Sequence, residues 1–273
     1  MSERSPVDEQ RELWSSNPRD WAEIAEPQNR KLFDELLDLT GVGPGTRLLD
    51  IACGSGYAAA LAAARGADVT GVDITPALLV IARERTPTGT FLEGEMDALP
   101  LPDSRYDVVT SINGFQFALD PLTAFAEAAR VLVPGGRLAA ATFAEPERNE
   151  GTALHLAMKA LVDEQPATGP HRVPADDGYA PYALSSPDGL VRALEAAGLR
   201  LAHVGETTLA WTYPDTETTV RALLASAGGA RASRVAGEQR VREAIEAALE
   251  PFRYSAGGVS IHNVFRHVVG VKP

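Results

Sequence analysis

Residues 48–56, Leu-Leu-Asp-Ile-Ala-Cys-Gly-Ser-Gly, restrict the fold more than any other stretch of this chain. An apolar run ends on an acid, Asp50, and breaks at Gly54 and Gly56. The following residues, Tyr57 to Arg65, are alanine-rich and helix-forming. Buried strand, glycine turn and helix in that order make the opening unit of a nucleotide-binding α/β fold. The glycines let backbone approach a ligand, and the helix N-terminus favours electronegative groups.

The pattern repeats. Strands are expected at 46–52, 67–73, 89–93, 106–112 and 137–143, with helices at 56–65, 76–85 and 121–132. Continuous apolar strands alternating with helices imply right-handed crossovers and a parallel sheet covered on both faces. The alternation lapses at 145–185, which holds a helix at 151–164 and a Pro- and Gly-rich loop. It resumes with a helix at 187–197 and a strand at 199–210, then lapses again over about 211–258. That second lapse reads as a helix start near 215–226, a break at Gly228-Gly229 and a helix at 234–249. A strand-like segment, Val259 to Val271, closes the chain. The expected fold is Rossmann-like: a seven-stranded, mostly parallel sheet with helices on both faces and an antiparallel last strand. The expected division is an N-terminal helical lid (1–45), a core (46–144), a cap insertion (145–185) and a C-terminal part of the sheet (186–273) carrying a helical insertion. Residues 1–20 read as a loose tail with an amphipathic element at Leu13 and Trp14, and Pro27 as a divider between two lid helices.

Formal net charge is −12, from 25 basic and 37 acidic residues. No run of Lys or Arg offsets it, which argues against a nucleic-acid partner. No apolar run approaches the roughly 20 residues of a membrane span, and the polar N-terminus is unlike a signal peptide. A cytoplasmic protein, monomer or homodimer, is expected. The single cysteine, Cys53, excludes an internal disulfide. It reads as a buried filler in the glycine turn, with a reactive thiol as the alternative.

The acid before the turn narrows the ligand. A carboxylate facing a pyrophosphate is repelled, whereas one facing an ammonium is attracted. S-adenosylmethionine has a free amino-acid end and no phosphate, so Asp50-x-x-x-Gly54-x-Gly56 points to that cofactor. Asp73 ends the second strand, placed to accept hydrogen bonds from both ribose hydroxyls. Two alternatives stand beside this reading. Gly54-Ser-Gly56-Tyr-Ala-Ala59 also fits the NAD(P) dinucleotide fingerprint, and a protein can bind S-adenosylmethionine without transferring its methyl group.

Four stretches in order carry a family resemblance: Leu49 to Gly56, Val72-Asp73-Ile74, Gly94-Glu95-Met96-Asp97-Ala-Leu-Pro100, and Arg130-Val-Leu-Val-Pro-Gly-Gly136. Residues 46–144 resemble the core of class I S-adenosylmethionine-dependent methyltransferases of the ubiquinone/menaquinone-methyltransferase-like group. The resemblance implies methyl transfer to a small-molecule acceptor, with S-adenosylhomocysteine as product; the aromatic residues of the cap suit an apolar or aromatic one. It places Asp50 near the methionyl amine, and Ala52, Gly54 and Gly56 against the cofactor. Asp73 would hold the ribose and Ile74 the adenine. Glu95 and Met96 stand where the family has Asp and a small residue at the adenine. Ser111 and Asn113 would end the fourth strand facing the methyl group. Pro134-Gly135-Gly136 would be a structural turn.

Catalytic residues are not legible. Gln116 occupies a stretch where relatives carry His-type residues, but an amide orients rather than takes a proton. His155 and His171 in the cap are candidate bases; His203 and His267 read as structural. Trp21 either closes over the sulfonium or anchors its helix, and Trp14 reads as an anchor. Tyr179, Tyr182, Trp211 and Tyr213 make the cap aromatic. No His/Asp/Glu spacing suggests a metal site.

Overall fold

The computed structural model describes residues 5–164, 184–254 and 257–273. Seven strands form one sheet in the order β3-β2-β1-β4-β5-β7-β6. They are β1 (Arg47–Ile51), β2 (Asp68–Asp73), β3 (Thr90–Glu93), β4 (Tyr106–Ile112), β5 (Leu132–Phe143), β6 (Arg200–Tyr213) and β7 (Val259–Val271). Strands β1 to β5 pair in parallel, and β7 runs antiparallel to both β5 and β6. The antiparallel last strand was expected; its insertion between β5 and β6 was not read from sequence.

Neighbouring apolar residues on one strand face opposite sides, so each strand feeds two cores. Leu49, Val109, Leu138 and Val268 face one cluster with Phe125, Ala128 and Leu194. Leu48 and Val108 face the other side with Ala59, Ala62, Leu79 and Ala82, and Ala139 and Val269 join Leu32 and Leu36 there. The helices supplying these faces are α3 (Arg30–Thr40), α4 (Tyr57–Ala64), α5 (Pro76–Arg85), α6 (Pro121–Val131) and α8 (Gly189–Ala196).

The N-terminal residues are more ordered than a tail. Helix α1 (Pro6–Trp14) is capped by Ser5, whose hydroxyl accepts from the Asp8 N–H at 3.1 Å. Arg11 ties it to the core by donating to the Ile74 carbonyl at 2.9 Å, and Leu13 is fully buried. Beyond a single turn, α2 (Pro18–Asp20), the chain makes a π-type turn at Trp21–Ala25 and a 3-10 turn at Glu26–Asn29 before α3. Pro27 does divide helical segments.

Helix α7 (Gly151–Asp163) follows β5, and α9 (Thr216–Leu224), α10 (Ala227–Ala236) and α11 (Glu238–Ala248) lie between β6 and β7. Leu154 and Met158 of α7 share an apolar cluster with Val220, Ala232, Val241 and Ile245. Two expectations fail here. Gly228-Gly229 does not break the chain but lies inside α10, and the expected single helix at 234–249 is divided at Gly237, whose φ is +86°. The glycine pair serves close approach: a Cβ on Gly229 would stand 2.2 Å from the Leu223 carbonyl oxygen. Gly229→Ala is therefore expected to lower stability by about 1–3 kcal/mol through overpacking, exceeding alanine's helix advantage of about 1 kcal/mol. An unchanged urea midpoint would contradict that tight α9–α10 contact.

Pro134-Gly135-Gly136 also differs in detail from a free turn. It forms an irregularity within β5, where the pairing with β4 jumps from Tyr106↔Leu132 to Val108↔Arg137. Among the described residues, no helix is long and apolar enough to cross a membrane.

Candidate cofactor and acceptor site

Chain order along the sheet reverses direction between β1 and β4, and ligands bind at the carboxyl ends of strands beside such a switch point. A cavity of about 250 Å³ opens there. Ala52 after β1, Asp73 at the end of β2, and Ile112 and Asn113 at the end of β4 line it. Ala52 and Asn113 both adopt left-handed backbone, with φ of 57° and 56°. Such conformations in non-glycine residues cost on the order of 1 kcal/mol and gather at functional sites.

The glycine turn is held by acids. Asp73 is buried and accepts the Gly54 N–H at 2.9 Å and the Thr75 N–H at 2.8 Å. Asp50 is buried below the turn and accepts the Thr110 hydroxyl at 2.7 Å. A third carboxylate, Glu26, reaches in from the lid. It accepts from the Ser55 hydroxyl and from Arg85 at 2.8 Å, while Arg85 also donates to the Ala22 carbonyl at 2.9 Å. Burial pushes all three acids upward, and Glu26 and Asp73 push Asp50 further, to about 7. Three buried acids against one arginine leave a locus that favours a cation.

Burial and the neighbouring acids also push the Cys53 thiol up, so it is an inert filler. Trp21 stands over the turn, its indole nitrogen 3.7 Å from where a Gly54 Cβ would be, with its ring edge-on to Trp14 at 4.7 Å. Both tryptophans line the cavity.

Of the residues singled out in the sequence, Ala52, Gly54, Asp73, Ile74, Met96, Trp21, Gln116 and His155 meet on the cavity wall. Asp50, Gly56, Glu95 and Ser111 do not line it. Gly56 lies against Ala82 of α5, Ser111 is wholly buried, and Glu95 is exposed. His171, Tyr179 and Tyr182 lie outside the described residues. His203 and His267 stack on each other at 5.4 Å on β6 and β7, off the cavity wall. Among the described residues no group of three or more His, Cys, Asp or Glu is placed to hold a metal ion.

The far wall is apolar and comes from several elements: Phe33, Phe143, Met158, Trp211, Tyr213 and Leu223. Sequence reasoning missed Glu26, Gln10, Asn29 and Asn263 in the cavity lining. Several polar atoms of lining residues have no protein partner: Gln10 Oε1, Asn113 Oδ1, Asn263 Nδ2 and both amide atoms of Gln116. Buried groups of this kind cost about 1–3 kcal/mol each when unpaired, so they suit a polar ligand.

The fold is that of Rossmann-like S-adenosylmethionine methyltransferases. A SAM-dependent methyltransferase from Aquifex aeolicus superposes with a TM-score of 0.53 at 16% identity, covering 94% of this chain and 98% of that one. The cyclase SpnF also superposes, with a TM-score of 0.56 at 21% identity over 89% of this chain and 81% of that one. Fold alone therefore does not fix the reaction. Residues 49–140 match the family described as a methyltransferase domain. A demethylmenaquinone methyltransferase from Renibacterium salmoninarum is 36% identical over 119 residues, 44% of this chain and 50% of that protein. A malonyl-(acyl-carrier protein) O-methyltransferase from Serratia marcescens is 36% identical over 115 residues, 42% of this chain and 45% of that protein. The chain thus carries a methyltransferase domain over residues 49–140. It spans about half the length of these curated relatives.

Proposed function

We propose that this protein, in the cytoplasm, transfers a methyl group from S-adenosylmethionine to a small, apolar or aromatic acceptor and releases S-adenosylhomocysteine. The observation that carries it is the junction of two unlike walls in one cavity. Asp73 and the glycine turn, with acids behind them, suit an adenosine bearing a cationic amino-acid tail. Opposite them, aromatic side chains and unpaired amides suit a neutral, partly apolar molecule.

The cofactor supplies a methyl group already activated on a sulfonium, so the protein's task is alignment and exclusion of water. Trp21 covers the turn with Trp14 edge-on against it, and Gln116 and Asn263 can orient an acceptor by hydrogen bonding. His155 is the one histidine on the cavity wall among the described residues, placed to take a proton from an acceptor that must lose one.

Binding is the first test. S-adenosylhomocysteine at a hundred times its Kd is expected to raise stability by about 2.7 kcal/mol, read as a thermal shift, with no shift from NADH. The reverse result would overturn the reading. Incubation with methyl-labelled cofactor and a metabolite extract should then give a methylated product by mass spectrometry.

A further inference from the structure

Asp50 is the acid expected beside the cofactor's amine, yet its carboxyl lies beneath the turn and off the cavity wall, engaged by Thr110. Asp73 is on the wall, but each of its oxygens already accepts a backbone N–H, from Gly54 and Thr75. Glu26 differs from both. Its Oε2 takes the Ser55 hydroxyl and the Arg85 guanidinium, and its Oε1 points the other way. That oxygen stands 3.0 Å from where a Cβ of Gly54 would sit, and Glu26 lines the cavity. Among the described residues no donor hydrogen-bonds Oε1. The buried Gln116 amide also lines the cavity without a partner.

We propose that Glu26, a lid residue, is the carboxylate that grips the ammonium of the cofactor's amino-acid tail, with Asp50 acting only from below as a second layer of negative charge. Arg85 neutralises one carboxylate of the three and fixes Glu26 in place, leaving room for one further cation at Oε1.

The position of Glu26 in the chain gives this a consequence. It sits in the short segment 21–29, between Trp21 over the glycine turn and Asn29, whose Oδ1 accepts from Trp211 Nε1 at 3.1 Å on the opposite wall. Gln28 binds the same strand, accepting from the Thr212 N–H at 3.0 Å and donating to its carbonyl at 3.2 Å. A cation held by Glu26 would therefore sit on the segment that borders both halves of the cavity.

The inference rests on the S-adenosylmethionine reading, and the test separates the two. Calorimetric affinities are measured for S-adenosylhomocysteine and for methylthioadenosine, which keeps the adenosine and sulfur but lacks the amino-acid tail. Glu26→Gln is expected to weaken S-adenosylhomocysteine by about tenfold or more, as for loss of a charge-assisted hydrogen bond, and to leave methylthioadenosine within about twofold. Equal affinity of variant and parent for S-adenosylhomocysteine would overturn the proposal. So would parallel losses for both ligands, which would make Glu26 a latch for the lid alone. If Glu26→Gln does not fold, Glu26→Asp keeps the charge but withdraws it by one methylene. The same ligand-selective loss is then expected, and its absence counts equally against the assignment. Failure of the unaltered protein to bind either ligand would instead sink the cofactor reading itself.

Discussion

Asp73→Ala is expected to weaken S-adenosylhomocysteine binding by about a hundredfold and methylthioadenosine binding by a similar factor. Asp73 has two functions in one group. It fixes the glycine turn through Gly54 N–H and Thr75 N–H, and in the proposed function its remaining lone pairs would hold the ribose in the cavity it lines. Each charge-assisted hydrogen bond lost costs about 1.5–3 kcal/mol, and about 1.4 kcal/mol is a factor of ten in affinity. The substitution also leaves two backbone donors unpaired, so the turn itself should loosen. Asp73→Asn keeps one acceptor and should lose less. The contrast with Glu26 is diagnostic, because the ribose acid is needed by both ligands and the tail acid by only one. Calorimetry on the folded variants decides it. Undiminished binding by Asp73→Ala would remove this cavity as the adenosine site.

Cofactor affinity should also rise about tenfold between about pH 6 and about pH 8. Burial raises Asp50 from 3.8 to about 7, with Glu26 and Asp73 adding charge repulsion against the favourable Thr110 bond. An acid with a raised value in the folded protein holds its proton there more tightly than in the unfolded chain. Its contribution to stability is thus fully present below the unfolded value of 3.8 and is lost as pH rises towards about 7. A bound ammonium reverses the preference by favouring the ionised carboxylate. Below about 7 the ligand must first drive a proton off this group, at about 1.4 kcal/mol per pH unit. Glu26 and Asp73 are shifted in the same direction and share the change. Titrations in buffers of different ionisation heat should show proton release on binding at pH 6. Affinity flat across this range, with no proton release, would mean that the acids are already ionised without ligand.

Gly54 and Asp73, which the structure brings to the cavity wall, could be singled out in the sequence because their signals are local, a glycine turn after one strand and an acid ending the next; Asp50 and Gly56, read beside them, lie off that wall. Buried parallel strands announce themselves as unbroken apolar runs. Glu26 gave no such signal. It looked like one more charge in an amphipathic lid, and its partners Ser55 and Arg85 are 29 and 59 residues away in sequence. Asn263, Asn29 and Gln10 were hidden for the same reason, since each becomes a wall residue only through tertiary packing. Gly228-Gly229 was misread because a glycine pair that ends a helix and one that admits a neighbouring backbone look alike in sequence. In α10 the Ser226 hydroxyl caps the Gly229 N–H and the helix begins before the glycines.

The β6–β7 hairpin makes one segment of this molecule exchangeable. Tyr213 pairs with Val259, so residues 214–258 leave the sheet and rejoin it at adjoining points. A segment tethered in that way can be lengthened, shortened or rewritten at small entropic cost, about 0.6 kcal/mol for each doubling of its length. The glycine turn and Asp73 have no such freedom, being threaded through parallel strands in the middle of the sheet. The stretch that matches the methyltransferase family, 49–140, ends before that hairpin begins. Grafting a different 214–258 segment onto this sheet would rewrite that part of the cavity wall while keeping the glycine turn and Asp73, provided the graft retains the Arg221–Asp20 pair and the Ala227 and Ala230 contacts with Leu13 that tie it to the lid.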